Sequence, residues 1–420
     1  MREMKDSGTL AFGTIPSTWK ITKFKNLFFL RSTKNTGNRE LLSVYLDKGV
    51  ISYSDSDGMQ VHKPSESLAA YQNVEIGDFV LNNQQAWRGS VGVSKYHGII
   101  SPAYFVYSMT DECYAPYMNY LLRDSSMVHQ YELASRGVGT IQRNLFAPWL
   151  KNSIVLIPPI CEQKVIANFL DSQCSEIDAI SADIQKEIEI LEQYKRSVIT
   201  EAVTKGLNPD VEMKDSGIEW VGNVPDHWGV LANKYVMKKR KDICTKWNGE
   251  NVLSLTMNGV IVRDLDNPVG KMPTTFDGYQ FVYSGNLLMC LFDYDVTPRC
   301  VGIVKNDGVT SPAYSRFELK ENATLEYFYY YYLMIDFTKE LLHLAKNLRH
   351  SFTEEQLGTL KVPLPPLDEQ KNIATYLDSK CKEIESVIAS KKQQLTVIDS
   401  YKKSLIYEYV TGKKEVPNEQ

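Results

Sequence analysis

From residue 13 to 157 the apolar residues come in short runs: LLSVYL, GDFVLN, VGVSKY and AYFVYSM. The turn signals DKG, SDSDG and YHG separate them, so the runs predict β-strands joined by tight turns. Near Pro116 to Gln130 the period changes. YMNYLLRDSSMVHQ spaces its apolar residues three and four apart, which predicts a helix. A matching passage near Leu325 to Leu344 reads TLEYFYYYYLMIDFTKELLHL. Its tyrosine run resembles a base-stacking platform. So many adjacent aromatics cannot share one exposed face, however, and a buried amphipathic helix is expected. Strands with segregated helices predict α+β domains.

Each such stretch ends in an apolar strand and a proline pair, SIVLIPP and TLKVPLPP. Proline cannot continue a sheet ladder and sets a stiff exit. Long helices are predicted to begin near Glu162 and Glu369. Leu170, Ile177, Ile184, Leu191 and Val198 fall seven apart, as do Leu377, Ile384, Lys391, Ile398 and Leu405. Ile180, Tyr194, Val387 and Tyr401, three residues further on, fill the second seam position of a heptad pattern. Each helix therefore wants a helical partner. At roughly 40 residues each would span about 60 Å. A globular stretch separates the two helices, so they can meet antiparallel. Lys391 at a seam position either fixes register or reaches out to solvent.

The two helices are copies. PPICEQKVIANFLDSQCSEIDAI from Pro158 matches PPLDEQKNIATYLDSKCKEIESV from Pro365 without a gap, through Tyr194 and Tyr401. Earlier landmarks repeat too: Met4-Lys5-Asp6-Ser7-Gly8 as Met213-Lys214-Asp215-Ser216-Gly217, and Ser101-Pro102-Ala103-Tyr104 as Ser311-Pro312-Ala313-Tyr314. A period near half the chain makes the protein a tandem duplicate. The expected fold is two globular α+β domains, each followed by a long helix, with the two helices pairing as an antiparallel coiled coil. The expected boundaries are a first domain over 1–157, a helix over 158–207, a polar linker over 208–221, a second domain over 222–364, a helix over 365–414 and a frayed tail over 415–420.

Composition narrows the function. The 420 residues carry a formal charge of −4. Residues 1–157 hold 16 Lys and Arg against 13 Asp and Glu, and residues 216–361 hold 16 against 17. Neither domain is a basic DNA clamp, so a DNA reader of this kind needs partner subunits for grip. Seven cysteines form no CxxC pair, which argues against zinc and disulfides and for a reducing cytoplasm. No long apolar run suggests a membrane span. Pro209-Asp210 with Glu212 and Lys214 superficially resembles a nuclease signature. That chemistry needs carboxylates converging from different strands, and these letters are contiguous. Neither a phosphate-binding loop nor an Asn-Pro-Pro-Tyr stretch occurs, and the six histidines lack metal spacing.

What remains are polar and cationic clusters at the same two places in each copy. The first domain has Asn83, Gln84, Gln85, Trp87 and Arg88 after a strand, and Arg136, Gln142, Arg143 and Asn144 before its last strand. The second has Arg299, then Lys346, Asn347, Arg349 and His350, with a further basic run containing Lys239 and Arg240. Asn and Gln amides pair with adenine and Arg with guanine. The positions repeat while the letters differ, which suggests one frame with two recognition tasks.

The duplicated PPxxEQxxIAxxLD segment, YKRSVITEAVTKG with YKKSLIYEYVTGK, and MKDSGIEWVGNVPDHW together resemble the specificity subunit of type I restriction–modification systems. The resemblance covers nearly the whole chain. It implies two target recognition domains, each reading one half of a split sequence in double-stranded DNA. It implies helices that set the gap and dock two methyltransferase subunits, which restriction/translocase subunits can join. S-adenosylmethionine, ATP and Mg are then expected on the partners, with no catalytic or metal residue and no cofactor here. A coiled-coil protein-interaction scaffold and a stand-alone DNA-modifying enzyme are the alternatives.

Overall fold

The computed structural model describes residues 2–9, 12–35, 37–56, 64–65, 67–138, 142–268, 270, 272–345 and 350–417; of Val138 and Gln142 it describes the backbone. The chain forms two compact units. One comprises Met1–Ile184 with Gln393–Gln420, the other Gln185–Lys392. Each is α+β, and the same frame recurs in both.

In the first unit a four-stranded antiparallel sheet runs in the order Phe28–Arg31, Tyr104–Met109, Phe79–Asn82 and Val91–Val93. In the second the order is Met237–Arg240, Tyr314–Leu319, Leu287–Cys290 and Val301–Ile303. The expected strands form because alternate residues such as Phe79 and Leu81 enter a core with Phe24, Tyr117 and Tyr131. Fully burying side chains of this size contributes about 1.5–3 kcal/mol each. The exit strands Ile154–Ile157 and Lys361–Leu364 pair antiparallel with Lys20–Lys23 and Gly229–Ala232, within their own units.

The helix expected near Pro116 to Gln130 is two helices, Ala115–Arg123 and Ser125–Leu133. Asp124 divides them because its carboxylate caps the second, accepting from Ser126 N at 2.8 Å. The tyrosine run forms one helix, Leu325–Thr338, and is buried. Its hydroxyls are satisfied inside the unit: Tyr327 donates to Val203 O at 3.0 Å and Tyr330 to Asp378 at 2.6 Å. The first unit repeats both bonds, with Tyr117 to Val410 O at 3.1 Å and Tyr120 to Asp171 at 2.7 Å. Burial pushes the phenols of Tyr117 and Tyr327 far above their ordinary range, so both stay donors.

The long helices are Ile160–Lys205 and Leu367–Val410. Gly206 and Gly412 follow them with φ of 76° and 72°, the left-handed termination only glycine adopts without strain. Each starts at a repeated amide clamp. Gln163 is fully buried; its Nε2 donates to Glu112 O at 2.8 Å and Pro158 O at 2.9 Å, and its Oε1 accepts from Tyr114 N at 2.8 Å. Gln370 does the same in the second unit, with Asn322 O at 3.0 Å, Pro365 O at 2.9 Å and Thr324 N at 2.8 Å.

Within each unit a stretch of one long helix runs antiparallel to a stretch of the other. In the first unit the Phe169 and Tyr409 rings meet at 4.6 Å, and Asp178 pairs with Lys402 at 2.6 Å. In the second unit Glu187 pairs with Lys391 and Lys195 with Glu385. Of the expected seam, Leu170, Ile177 and Leu405 are buried in the first unit, with Ile184 and Ile398 half-buried. In the second unit Val198, Leu377 and Ile384 are buried and Leu191 is half-buried.

The alternate seam position differs from expectation. Ile180, Tyr194, Val387 and Tyr401 are 52%, 52%, 42% and 56% exposed. The seam steps by four and then three, so it continues through Cys174, Ser181, Ile188, Lys195 and Ala202, and through Cys381, Ile388, Leu395, Lys402 and Tyr409. The apolar letter sits one residue early, outside the seam. Lys391 is half-buried in the seam and ion-paired with Glu187.

One passage read as irregular is ordered. In the stretch expected as a linker, Met213–Asp215 pairs with Asn223–Pro225, as Met4–Asp6 does with Thr14–Pro16. Before the tail, Lys413 is tied down, its Nζ donating to Phe12 O and Thr14 O at 2.5 Å each. Among the described residues no helix is long and apolar enough to cross a membrane.

Candidate nucleic-acid interface

In the first unit the strand Phe79–Asn82 runs into the single turn Ala86–Arg88, which Gly89 ends at φ 99°. Asn82 Oδ1 accepts from Gln84 N at 3.0 Å, and Trp87 Nε1 donates to Gln84 O at 3.0 Å. These bonds fold the loop back on itself and leave Gln84 and Arg88 exposed, with Gln85 half-buried. Asn83 O accepts from Leu145 N at 3.0 Å, which ties the loop to a neighbouring hairpin.

That hairpin joins Ser135–Val138 to Gln142–Leu145, with Arg136 opposite Asn144 and Gly137 opposite Arg143. Alternation places Arg143 on one face and Arg136 with Asn144 on the other. Arg143 and Arg88 lie 4.8 and 4.6 Å from the Trp87 ring centroid. Arg143 also pairs with Glu132 at 2.9 Å. Arg136 lies 3.5 Å from the Phe146 centroid and 4.4 Å from that of Trp149. Such stacks hold a guanidinium in place. The structure thus brings together Trp87, Arg88 and Arg143, with Arg136 and Asn144 on the same ribbon. A two-stranded ribbon is one of the elements the DNA major groove admits. The side chain of Gln142 lies outside the described residues.

The second unit arranges the corresponding places differently. Lys346, Asn347 and Arg349 lie outside the described residues. His350 Nδ1 meets Asp295 at 2.8 Å, and this bond holds the Asp295 carboxyl below the usual carboxylate range. Asp293 and His350 have φ of 46° and 39°, and Tyr294 N between the two aspartates donates to His350 O at 3.3 Å. Left-handed backbone at non-glycine residues costs of order 1–3 kcal/mol each and clusters at working sites.

The remaining cations are engaged. Arg299 is 15% exposed and lies 4.0 Å from the buried Asp336, which also pairs with Lys339 at 2.6 Å. It turns into a cleft of about 790 Å³ that Lys195, Arg196 and Glu385 also line. On the sheet's edge strand, Lys239 pairs with Glu354 and Arg240 with Glu318. Sequence reading missed Glu132, Phe146, Trp149 and Asp336. The first three flank the hairpin in sequence, and a search of its neighbours for rings and a carboxylate would have found them. Nothing local marks Asp336.

Among the described residues, no group of three or more His, Cys, Asp or Glu is placed to hold a metal ion.

Comparison with known proteins finds a sequence family described as the type I restriction modification DNA specificity domain, matched over residues 299–397. The chain is 26% identical to the putative type I restriction enzyme MjaX specificity subunit of Methanocaldococcus jannaschii, over 96% of this chain and 95% of that protein. It is also 26% identical to the MjaVIII specificity subunit of the same organism, over 72% and 71%. A solved chain from a study of complex assembly and conformational transition in a type I R-M system aligns over 95% of this chain and 99% of that one. Its TM-score is 0.68 at 13% identity, a likeness of fold.

Proposed function

Because the chain belongs to the specificity subunits of type I restriction–modification systems, we propose that its two units each read one half of a bipartite DNA sequence. The observation that carries this is the repeated four-stranded frame with dissimilar loops in equivalent places. Arg88, Arg143 and Arg136 stand on aromatic rings in one unit. A His350–Asp295 pair beside the left-handed backbone of Asp293 and His350 stands in the other. One frame with different edges suits two different half-sites. The chain contributes no chemistry of its own. S-adenosylmethionine, ATP and Mg belong to methyltransferase and restriction subunits.

The long helices set the gap between half-sites and dock the partners. Their exposed apolar residues support this. Ile180, Val397 and Tyr401 in the first unit are 52%, 60% and 56% exposed; Ile190, Tyr194 and Val387 in the second are 53%, 52% and 42%. Both sets fall on heptad positions beside the seam, where a further helix packs against a pair.

Exchange of residues 222–364 for those of a relative tests the reading. Long-read mapping of methylated adenines should show one half of the target changed and the other kept. An unchanged target would favour a scaffold whose globular domains bind protein. Cleavage or methylation of DNA by the purified chain alone would favour an enzyme.

Single substitutions sharpen the test. Arg143→Ala and Arg88→Ala should each weaken specific duplex binding by about 5–150-fold, the range of one lost bidentate contact of about 1–3 kcal/mol. Competition against a duplex altered in one half-site measures it. Uniform weakening on all sequences would reassign the two arginines to phosphate.

A further inference from the structure

Beside the Trp87 loop the first unit holds a recess of about 500 Å³. That volume lies within the range of about 300–1,000 Å³ that small-molecule sites occupy. Its wall includes the rings of Tyr45, Tyr71 and Tyr104, drawn from separate strands and loops, together with Asn82, Gln85 and Arg88. Aromatic planes, amide edges and one guanidinium are the groups that hold a nucleotide: rings stack on the base, amides pair with its edge, and the cation meets phosphate.

A second observation points the same way. The Tyr45 hydroxyl is buried and has no hydrogen-bond partner among the described residues. A buried polar group left without a partner is destabilising. A polar ligand edge in the recess would remove that cost. Tyr104 stands near it. Burial first, then the neighbouring Tyr45 phenol, keeps the Tyr104 hydroxyl protonated, beside the Asn82 side chain.

We propose that this recess is a binding site for one unpaired nucleotide, with its base among Tyr45, Tyr71 and Tyr104 and its phosphate at Arg88. The occupant is either a free nucleotide or a nucleotide turned out of the DNA that this unit reads. The second source rests on the DNA reading above. Turning a base out costs its stacking and pairing in the duplex, which stacking and edge pairing in a fitted pocket offset.

Two probes separate the sources. The full chain is titrated calorimetrically with each deoxynucleoside monophosphate. Separately, in the complex with its methyltransferase subunits, 2-aminopurine is placed at successive positions of the half-site bound by the first unit, and its fluorescence is followed. Two variants report on the recess. Tyr45→Phe removes only the unpartnered hydroxyl, so it should keep or raise the melting temperature. Ala103→Trp adds bulk at an exposed position of the recess wall.

The expected result is saturable nucleotide binding or a several-fold fluorescence rise. It should weaken at least fivefold in Tyr45→Phe and vanish in Ala103→Trp. Signal in the first arm alone identifies a free nucleotide, and in the second alone a base turned out of the duplex. Silence in both arms, or signals unchanged in both variants, overturns the proposal. Duplex retention by the same preparation separates the two readings. Specific retention with both arms silent defeats the nucleotide site and leaves DNA reading intact. Nucleotide binding without specific retention does the reverse.

Discussion

Aspartate at Ile190, Tyr194 and Val387 together is expected to leave the chain folded and to weaken capture of a methyltransferase subunit by at least a thousandfold. The three side chains are about half exposed and outside the seam, so each change should alter stability by no more than about 0.5 kcal/mol. Apolar anchors at the centre of an interface are worth about 2 kcal/mol or more each. Three lost together pass a thousandfold, since each 1.4 kcal/mol is a factor of ten. Surface-plasmon titration of the partner onto the immobilised variant, with a melting curve as the fold control, reads both quantities. Undiminished capture would move the docking surface off this face. The set at Ile180, Val397 and Tyr401 should behave alike, because the same positions recur one repeat away.

Gln370→Leu should be the most damaging single change on the helix. The side chain is fully buried and answers three main-chain groups: Thr324 N, Asn322 O and Pro365 O. Leucine fills the space and leaves all three unanswered. At about 1–3 kcal/mol per orphaned group, the three together cost at least about 3 kcal/mol. In a unit of this size the melting temperature should fall by about 10 °C. Gln370→Glu is the informative companion. A carboxylate keeps the acceptor for Thr324 N but offers no donor to the two carbonyls, so it should also destabilise. A melting temperature within 2 °C of the parent for both variants would show that the clamp is ornamental.

The parts legible in the sequence were those written locally or twice. Proline pairs, strand runs and the 207-residue repeat sufficed for the α+β frame and the long helices. The seam was half legible. Leu170 and Leu377 announce themselves by spacing, but the alternate position is interrupted by Ser181, Lys195 and Lys402, which no apolar pattern selects. The apolar letters nearby, Tyr194 and Tyr401, are exposed instead. Whether an apolar residue is seam or surface depends on a partner helix some 200 positions away. The site divides likewise. Trp87 and Arg143 are visible as letters, but their meeting needs the hairpin register. Lys239 and Arg240 looked like free cations because Glu354 and Glu318 lie far along the chain. The tyrosines of the recess come from residues 45 to 104, so only folding assembles them.

The amide clamp has one more consequence. Gln163 touches only main-chain atoms of its domain, the carbonyls of Glu112 and Pro158 and the amide of Tyr114. Gln370 makes the same three main-chain bonds with Asn322, Pro365 and Thr324, and its Oε1 also accepts from the Thr324 hydroxyl at 3.1 Å. Peptide groups are common to every sequence. A recognition domain can therefore rewrite its side chains wholesale and still fit the socket, provided the backbone path is kept. The joint works as a standard fitting: recombination between relatives can trade whole domains at the proline pair, and new target sequences arise without redesign of the helix that carries them.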